Sequence, residues 1–489
     1  MAEERDTGLL RPGATCWRVE RARRAAMLPD GAAYFSAMRA AMERARRSIL
    51  LVGWDFDAEM RLGPAGGAEA EKFHELMRRL LARRPELQVH ILIWDMAFAF
   101  RIQRRSGPRQ AAAALPGGNL HFRLDAGTPF GASHHQKILV VDDAVAFCGG
   151  SDFSRNRWDT TRHLPRDPRR RSRENAIYGP RHDVMMAVDG PVAAGLADVV
   201  RERWRRATGE TLTAENGGTE SAGTDEADPW PEDLVPDMRD VAIGIARTEP
   251  ERDGRPAVRE AEALHLAAIA AARRWIYMEN QYFTSPVIGA ALARRLAEPD
   301  GPEVVVVTAA RSGGPSDRLT WDHARNSLIH RLQAADRHGR FRAFAAMADG
   351  DVPIIVHSKV TVVDDRLLRV GSTNLNNRSM GFDTECDIAV EVGDEAHDEQ
   401  GRSAVRRMLD RLLTEHLGRG AGELEEALLR TGSLTACVDQ LNPATGRRLR
   451  AFDVPRPSLL DRVMGRLHLL DPTGPADNLQ PWRRLRLGR

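Results

Sequence analysis

With 489 residues, the chain is longer than one small hydrophobic core requires, and this length favours two domains or one duplicated domain. Its composition, 42% apolar and 29% charged residues, is that of an ordinary globular protein. A net charge of only +2 argues against the chain-wide basic field that attracts nucleic acid.

No segment indicates export or a membrane span. The first residues are acidic and lack an apolar run, so we expect no secretory signal, and no stretch approaches the roughly 18 apolar residues of a transmembrane helix. The cysteines are scattered without a C-x-x-C spacing, which predicts neither a zinc site nor a disulfide framework and favours a reducing compartment. They are Cys16, Cys148, Cys386 and Cys437.

The first half of the chain predicts alternating helices and strands. Residues 1–30 are rich in arginine, and we expect an irregular lead-in there. The pattern of apolar residues then predicts helices at 33–47, 69–84 and 191–206, and buried strands at 49–54, 89–94, 138–141 and 183–188. Arg-rich loops are expected from residue 95 to about 130, with Arg101, Arg104, Arg105 and Arg109, and at 161–182.

The second half repeats this order after a linker. Residues 207–236 are dominated by Gly, Thr, Ser, Glu and Asp without apolar periodicity, which is typical of a linker. Helices are predicted at 260–274, 286–297, 320–337 and 402–416, and strands at 275–278, 304–308, 360–363 and 387–392. The repeated order predicts two similar α/β lobes, 1–206 and 237–418, packed face to face. Residues 419–489 form a tail with a helix near 423–430 and a basic end.

One short motif occurs in both lobes. Residues 135–142 are H-Q-K-I-L-V-V-D and residues 357–364 are H-S-K-V-T-V-V-D, so His, Lys and Asp each recur at an offset of 222. Side chains alternate faces along a strand, so each His lies on the same face as its Lys. Two such pairs facing each other would surround one point with two imidazoles and two ammonium groups, which suits a phosphate.

Lysine is rare elsewhere in the chain. Of 71 Lys and Arg residues only three are lysines, Lys72, Lys137 and Lys359, and two of these lie in the motifs. An ammonium is a compact charge on a flexible stem, whereas a guanidinium is a wide planar fork. The sequence therefore indicates that the motif positions require an ammonium.

With their flanks, the two copies resemble the paired motifs of the phospholipase D superfamily, in its eukaryotic-type form. The matching flanks are 149–153, 157–159 and 181–184 in the first half, and 371–379 and 381–385 in the second. The resemblance covers roughly residues 30–418. It implies an α/β fold of two mixed-sheet lobes, flanked by helices and packed as a pseudo-dimer. It also implies hydrolysis of glycerophospholipids to phosphatidic acid and free head group, or transfer of the phosphatidyl group to an alcohol.

The resemblance assigns the nucleophile to His135 and the general acid to His357, a choice that the nearly symmetric sequence leaves open. A neutral imidazole can attack an anionic phosphodiester without charge repulsion, and a protonated one can donate to the leaving oxygen. The motif aspartates complete the site as catalytic-motif residues, although they end buried strands and look like structural anchors. The full set of motif residues is His135, Lys137, Asp142, His357, Lys359 and Asp364.

Further residues are predicted around the phosphate. Lys137 and Lys359 are expected to hold its oxygens, with Ser372 and Asn374 as uncharged donors. A catalytic histidine needs a carboxylate to fix its tautomer. We expect Glu385 to orient His357 and Asp183 to orient His135, each within its own lobe. The spacing of His, Asp and Glu indicates no metal site, so no metal or cofactor is expected.

Three alternatives remain open at this point. A cardiolipin synthase-like phosphatidyltransferase would differ only in the acceptor. A nuclease of the same superfamily would need a basic groove with aromatics, and aromatic residues are only 6% of the chain. A lipid-binding module without activity disagrees with two intact motifs. We expect a monomer that acts on a phospholipid and binds no nucleic acid. We expect it in the cytoplasm, in peripheral contact with the inner membrane face through the basic end of the tail.

Overall fold

The computed structural model describes residues 8–64, 71–95, 112–172, 174–214, 228–313, 318–393, 398–454 and 471–479. The Arg-rich stretch 101–109, the centre of the predicted linker and the basic end of the tail lie outside this part of the chain. Within it, no helix is both long and apolar enough to cross a membrane. All four cysteines are buried free thiols.

The described residues of the first lobe alternate strands and helices as predicted, with three helices and several additional strands. Its elements are β1 (Arg18–Pro29), α1 (Asp30–Arg44), β2 (Ser48–Gly53), α2 (Phe73–Arg83), β3 (Gln88–Trp94), β4 (Leu120–Asp125), β5 (Ile138–Val141), β6 (Val145–Gly149), β7 (Arg181–His182), β8 (Val184–Asp189) and α3 (Pro191–Thr208).

The second lobe repeats that order and continues into the predicted tail. Its elements are β9 (Met238–Glu249), β10 (Val258–Arg259), α4 (Glu260–Ala271), β11 (Trp275–Asn280), α5 (Pro286–Ala297), β12 (Glu303–Thr308), α6 (His323–Ala335), β13 (Phe341–Ala348), β14 (Val352–Pro353), β15 (Ile355–Val356), β16 (Lys359–Val363), β17 (Leu367–Gly371), α7 (Asn377–Gly381), β18 (Glu385–Glu391), α8 (Glu399–Leu417), α9 (Glu423–Thr431), α10 (Leu434–Leu441), β19 (Arg448–Ala451) and α11 (Pro475–Leu479).

Each lobe contains a mixed sheet with the same strand pattern. In the first lobe the order is β4-β3-β2-β5-β6-β8-β1, with β2, β3 and β4 parallel and the other pairs antiparallel. In the second lobe it is β13-β12-β11-β16-β17-β18-β9, again with three parallel strands at one end. The long strands β1 and β9 pair antiparallel and join the two sheets. The duplicated, two-lobed α/β fold is therefore confirmed.

The hydrophobic core has three parts. The central part lies between the lobes and combines side chains of both sheets, such as Val52 and Val140 with Tyr277 and Val362. A second cluster lies between the first sheet and helices α1 and α2. A third lies between the second sheet and helices α4, α5 and α6. Burial of strands on both faces explains their almost continuous apolar sequences.

The lead-in was predicted wrongly as irregular, because residues 18–29 form the long strand β1. Its arginines obscure the strand pattern, yet each finds a carboxylate on a neighbouring element. Arg24 lies 2.6 Å from Asp189 of β8, and Arg18 lies 2.9 Å from Asp198 of α3. These ion pairs let a basic segment lie in the middle of the joined sheet.

Two other predictions of irregular or separate structure need correction. The loop expected up to about residue 130 contains strand β4, which extends the parallel end of the first sheet. The predicted helix near 423–430 is present as α9, but the first part of the tail is joined to the second lobe. Strand β19 pairs with β13, and α10 packs against β12.

Candidate active site

Backbone hydrogen bonds between the lobes hold the start of each motif. The N–H of His357 donates to the carbonyl of His182 at 2.8 Å, within a short parallel pairing of β15 with β7. The N–H of His135 donates to the carbonyl of Thr384 at 3.0 Å, and Thr384 donates back to Ser133. Each motif segment of one lobe is thus anchored on the segment of the other lobe that carries a buried carboxylate.

Those carboxylates orient the histidines across the lobe interface. His135 Nδ1 lies 2.9 Å from Glu385 Oε2, and His357 Nδ1 lies 2.9 Å from Asp183 Oδ2. The prediction that each carboxylate serves its own lobe is therefore wrong, and the two partners are exchanged. With Nδ1 engaged in both rings, Nε2 is the atom left for the substrate.

The environment of the two carboxylates differs. Ser372 Oγ donates to Glu385 Oε2 at 2.5 Å and accepts the N–H of Cys386 at 3.0 Å. The hydroxyl predicted to bind phosphate is thus directed at the carboxylate, which corrects the role expected for Ser372. At the equivalent position of the first lobe, a Cβ on Gly150 would lie 2.2 Å from an Asp183 oxygen. Glycine is needed there because the carboxylate occupies the space.

Both motif lysines are buried beside their histidines. Lys137 is 2% exposed and donates to the carbonyl of His135 at 2.9 Å, with Asp152 Oδ2 at 3.3 Å. Lys359 is 0% exposed and donates to the carbonyl of His357 at 2.5 Å, with Gln281 Oε1 at 3.4 Å. Each ammonium keeps further donor capacity, since it has three hydrogens.

Asn374 and Asp152 occupy matching positions in the loops that follow β17 and β6, the strands after the two motif strands. Asn374 is 4% exposed, and its Oδ1 has no hydrogen-bond partner within the described chain. Asp152 Oδ1 instead accepts the N–H of Trp54 at 2.8 Å. The predicted role of Asn374 as a neutral donor to phosphate stays a prediction, whereas Asp152 serves as a counter-ion of Lys137.

The motif aspartates lie at the other end of their strands and outside the site. Asp142 accepts the N–H groups of residues 46, 47 and 48, and Asp364 accepts those of residues 273, 274 and 275. Asp364 lies five positions after Lys359, about 16 Å away at the rise of an extended chain. Their place in the catalytic set is corrected: they anchor the turn before the neighbouring strand and touch neither lysine.

The electrostatics of the site keep both imidazoles neutral at neutral pH. Burial is the largest influence and lowers the pKa of His135 well below its usual range, and Lys137 and Lys359 lower it further. Burial followed by Lys359 and Arg157 does the same to the pKa of His357. Lys359 acts on both imidazoles, and Lys137 and His135 also act on His357, which indicates that the two His–Lys pairs lie close together. A bound anion would cancel part of the positive field and make protonation of one imidazole easier.

Several residues near the histidines were not singled out by the sequence. Trp54 lies edge-on to His135, with ring centroids 6.3 Å apart, and stacks on Trp94. In the second lobe, Tyr282 stacks on Trp321 with centroids 4.6 Å apart. Trp54 and Tyr282 follow the equivalent strands β2 and β11, a signal available from the repeat. Each lobe therefore contributes an aromatic pair after an equivalent strand, and the pair of the first lobe contacts His135.

Comparison with known families agrees with this geometry. A family model described as "Phospholipase D" matches residues 119–290 and 338–471, more than half of the chain. The chain belongs to the phospholipase D family. A second model, described as "Cardiolipin synthase, PLD-like domain", matches residues 265–402. The family membership expected from the twin motifs is thereby confirmed.

Curated relatives and a solved structure extend the comparison. Phospholipase D A of Dictyostelium discoideum is 25% identical over 430 residues, covering 74% of this chain and 32% of the relative. Phospholipase D alpha 1 of Nicotiana tabacum is 24% identical over 436 residues, covering 67% and 53%. The chain thus spans between a third and about half of the length of these two relatives. Phosphatidylserine synthase of Haemophilus influenzae Rd KW20 shares the fold, with a TM-score of 0.53 and 13% identity over 93% of this chain and 94% of that protein.

Proposed function

We propose that this phospholipase D family chain is a phosphodiesterase that cleaves glycerophospholipids to phosphatidic acid and free head group through a phosphohistidine intermediate. The observation that carries the proposal is the crossed arrangement of two His–Lys pairs, each histidine held at Nδ1 by a buried carboxylate of the opposite lobe. The names of the curated relatives support the substrate class.

In the first step, the Nε2 lone pair of His135 attacks phosphorus. The P–O bond to the head group breaks, and His357, which becomes protonated when the anionic substrate is bound, gives its Nε2 proton to the departing oxygen. Lys137 and Lys359 stabilise the negative charge on the non-bridging oxygens of the transition state. In the second step, His357 takes a proton from water, the water oxygen attacks phosphorus, and the P–N bond to His135 breaks. The carboxylates keep the ring tautomers that both steps require.

Contact with a membrane surface is part of the proposal. Phe130 is 82% exposed and lies in the loop that leads into the first motif. Arg378 donates to the carbonyl of the adjacent Gly131 at 2.8 Å and pairs its charge with Asp383 at 2.6 Å. The exposed apolar ring on this anchored loop suits contact with a membrane interface. Phe130→Ser should lower activity on vesicles and leave activity on a soluble short-chain substrate unchanged; equal losses on both would contradict this contact.

Transfer to an alcohol is the second candidate. The match to a cardiolipin synthase-type domain favours it, and a phosphohistidine accepts any hydroxyl that reaches it. Water and an alcohol would compete for the same intermediate, so hydrolysis and transfer can occur at the same site.

The test is product analysis with mixed phospholipids in the presence of a primary alcohol. Mass spectrometry should show phosphatidic acid, the phosphatidyl alcohol, or both, from the wild-type chain. His135→Ala and His357→Ala should each lower turnover by at least about 100-fold, as loss of a nucleophile or a proton donor does. His338→Ala removes an exposed histidine and is the matched control. Near-normal rates in either motif variant would overturn the mechanism, and products from DNA but not from lipid would overturn the substrate class.

A further inference from the structure

A second group of ionisable side chains lies at the lobe interface, outside the catalytic pairs. Asp30, His163, His182 and Glu415 converge there, and we call these four residues the interface cluster. Their exposures are 2%, 1%, 0% and 6%. The expectation from sequence that no His/Asp/Glu cluster exists is therefore wrong. The members are distant along the chain, so no spacing could reveal them.

The candidate ligand atoms of the four members lie within 4.8 Å of one another. Glu415 Oε1 lies 2.7 Å from His182 Nδ1 and 2.9 Å from His163 Nε2. Asp30 Oδ1 lies 3.1 Å from His182 Nδ1, and Asp30 Oδ2 lies 3.4 Å from His163 Nε2. Donor atoms around a tetrahedral zinc ion are separated by about 3.3 Å when the bonds are about 2.0 Å long. Small outward shifts of the shorter contacts would give that spacing.

The opposite nitrogen of each ring is held by a further carboxylate. His182 Nε2 lies 2.8 Å from Glu279 Oε2, and His163 Nδ1 lies 3.1 Å from Asp159 Oδ2. Histidines that bind metals usually donate their second N–H to a carboxylate, which fixes the ring and makes the ligating nitrogen more basic. Both histidines of the interface cluster show this arrangement.

An unpaired oxygen supplies an independent indication. Asp30 Oδ2 is buried and has no hydrogen-bond partner within the described part of the chain, and its closest cationic neighbour in the interface cluster is His163 Nε2. A buried carboxylate oxygen normally accepts a hydrogen bond or binds a cation. This oxygen lies 3.4 Å from His163 Nε2 of the same cluster, and a cation bound among the four side chains would satisfy it.

The local charge also favours a bound cation. Four carboxylates surround the two histidines: Asp30, Asp159, Glu279 and Glu415. Arg170 donates to Asp159 at 2.8 Å and Arg447 lies at the edge, where it donates to the carbonyl of Thr161. Two further positive charges would balance the carboxylates, and either one divalent cation or two imidazolium protons can supply them.

We propose that the interface cluster binds one divalent transition metal, Zn²⁺ in particular. The ligands are His163 Nε2, His182 Nδ1 and one oxygen each of Asp30 and Glu415. Two nitrogens and two oxygens around a closed, buried point suit structural zinc, which takes four ligands and leaves none to solvent. The ion ties three ligands of the first lobe to Glu415 of the second. It takes no part in the proposed chemistry, but the carbonyl of His182 holds the N–H of His357.

The experiment is metal analysis of the full chain purified without a chelator. Mass spectrometry of the acid-digested protein should find about one zinc per chain, as four protein ligands imply. His163→Gln and Asp30→Asn should lose the zinc, whereas His416→Gln should keep it. His416 is a matched control because it is equally buried and contacts Glu279 but lies outside the proposed ligand set.

A second measurement tests whether the interface cluster binds a metal if the ligand variants fail to fold. Wild-type protein produced with Co²⁺ in place of Zn²⁺ should show the intense visible absorption of a tetrahedral cobalt centre. The proposal is overturned if folded wild-type protein contains no metal, gains none from added Zn²⁺ and shows no visible cobalt bands. In that case the interface cluster is a network of protonated imidazoles. Retention of zinc in both folded ligand variants would overturn the assigned position.

Discussion

At the scale of single residues, the motif lysines are the positions where the sequence most specifically requires one residue type. Lys137 and Lys359 are almost fully buried, and each Nζ is directed back to the carbonyl of its own histidine. A guanidinium cannot take that position without moving its planar donors past the phosphate site. This geometry gives a physical reason for keeping lysine in a chain that otherwise uses arginine.

We predict that Lys137→Arg and Lys359→Arg each lower kcat by on the order of 100-fold, because a phosphate displaced by about 1 Å reacts that much more slowly. Folding stability should change little, which a thermal melt beside steady-state kinetics would show. Lys72→Arg is the control, since the third lysine forms an ion pair with Glu59 away from the site. Near-normal kcat in both motif variants would mean that charge alone matters.

The pH dependence should report Lys359. Burial is the main influence and lowers its pKa to about 7, with Asp183 opposing the shift. A lysine loses its charge as pH rises through its pKa, so the free enzyme should bind an anionic phosphodiester less well above about pH 7. We predict that kcat/KM on a soluble substrate falls as pH rises through this range. Lys359→Arg should be slower and should lose the break near pH 7, because arginine stays charged, so that only the dependence on protonated His357 remains. A wild-type profile that is flat to pH 9 would contradict the prediction.

At the scale of elements, the crossing of the carboxylates assigns each to one histidine and hence to one half of the reaction. Asp183 supports His357, the proposed acid, whereas Glu385 supports His135, the proposed nucleophile. We predict that Asp183→Asn and Glu385→Gln both lower kcat strongly on a lipid with an alkyl head group, because the amides favour the wrong ring tautomer.

A p-nitrophenyl leaving group separates the two variants. This group departs without a proton, so it should restore much of the activity of Asp183→Asn and little of that of Glu385→Gln. The measurement is the ratio of rates on the two substrates for each variant, with His357→Ala as the reference for a missing acid. The reverse pattern would show that His135 is the acid and His357 the nucleophile, because Glu385 contacts His135 and Asp183 contacts His357.

The sequence predicted the elements well where burial makes a strand apolar on both faces, as in β2, β5 and β16. It missed β1, where arginines occupy a strand whose counter-ions lie on other elements, such as Asp189 and Asp198. It predicted the motif histidines and lysines but paired the carboxylates wrongly. Distance along the chain suggested that Glu385 belongs to His357, whereas packing of the lobes brings it to His135. The sequence also did not reveal the interface cluster, because its members are distant along the chain and meet only when the lobes pack.

At the scale of the whole molecule, the active site is a property of the paired lobes rather than of either one. Each histidine depends on a carboxylate of the other lobe, and the central core contains side chains of both sheets. The backbone pairings between β7 and β15 and between residues 133–135 and 384 complete the interface. Separation would leave two half-sites and expose a large apolar surface.

We therefore predict that fragments 1–214 and 228–489 are inactive alone and active when produced together. Most of the interface is apolar surface and should bring the fragments together without the connecting residues. Co-purification through a tag on one fragment and turnover of a soluble substrate are the measurements, with the intact chain as the reference. Two copies of fragment 1–214 could unite two His135–Lys137 pairs, but they would offer Asp183 and Gly150 where the intact chain offers Glu385 and Ser372. Activity from that fragment alone would contradict the prediction. It would show that a second copy of the first lobe can replace the second lobe and that Asp183 and Glu385 do not need different roles.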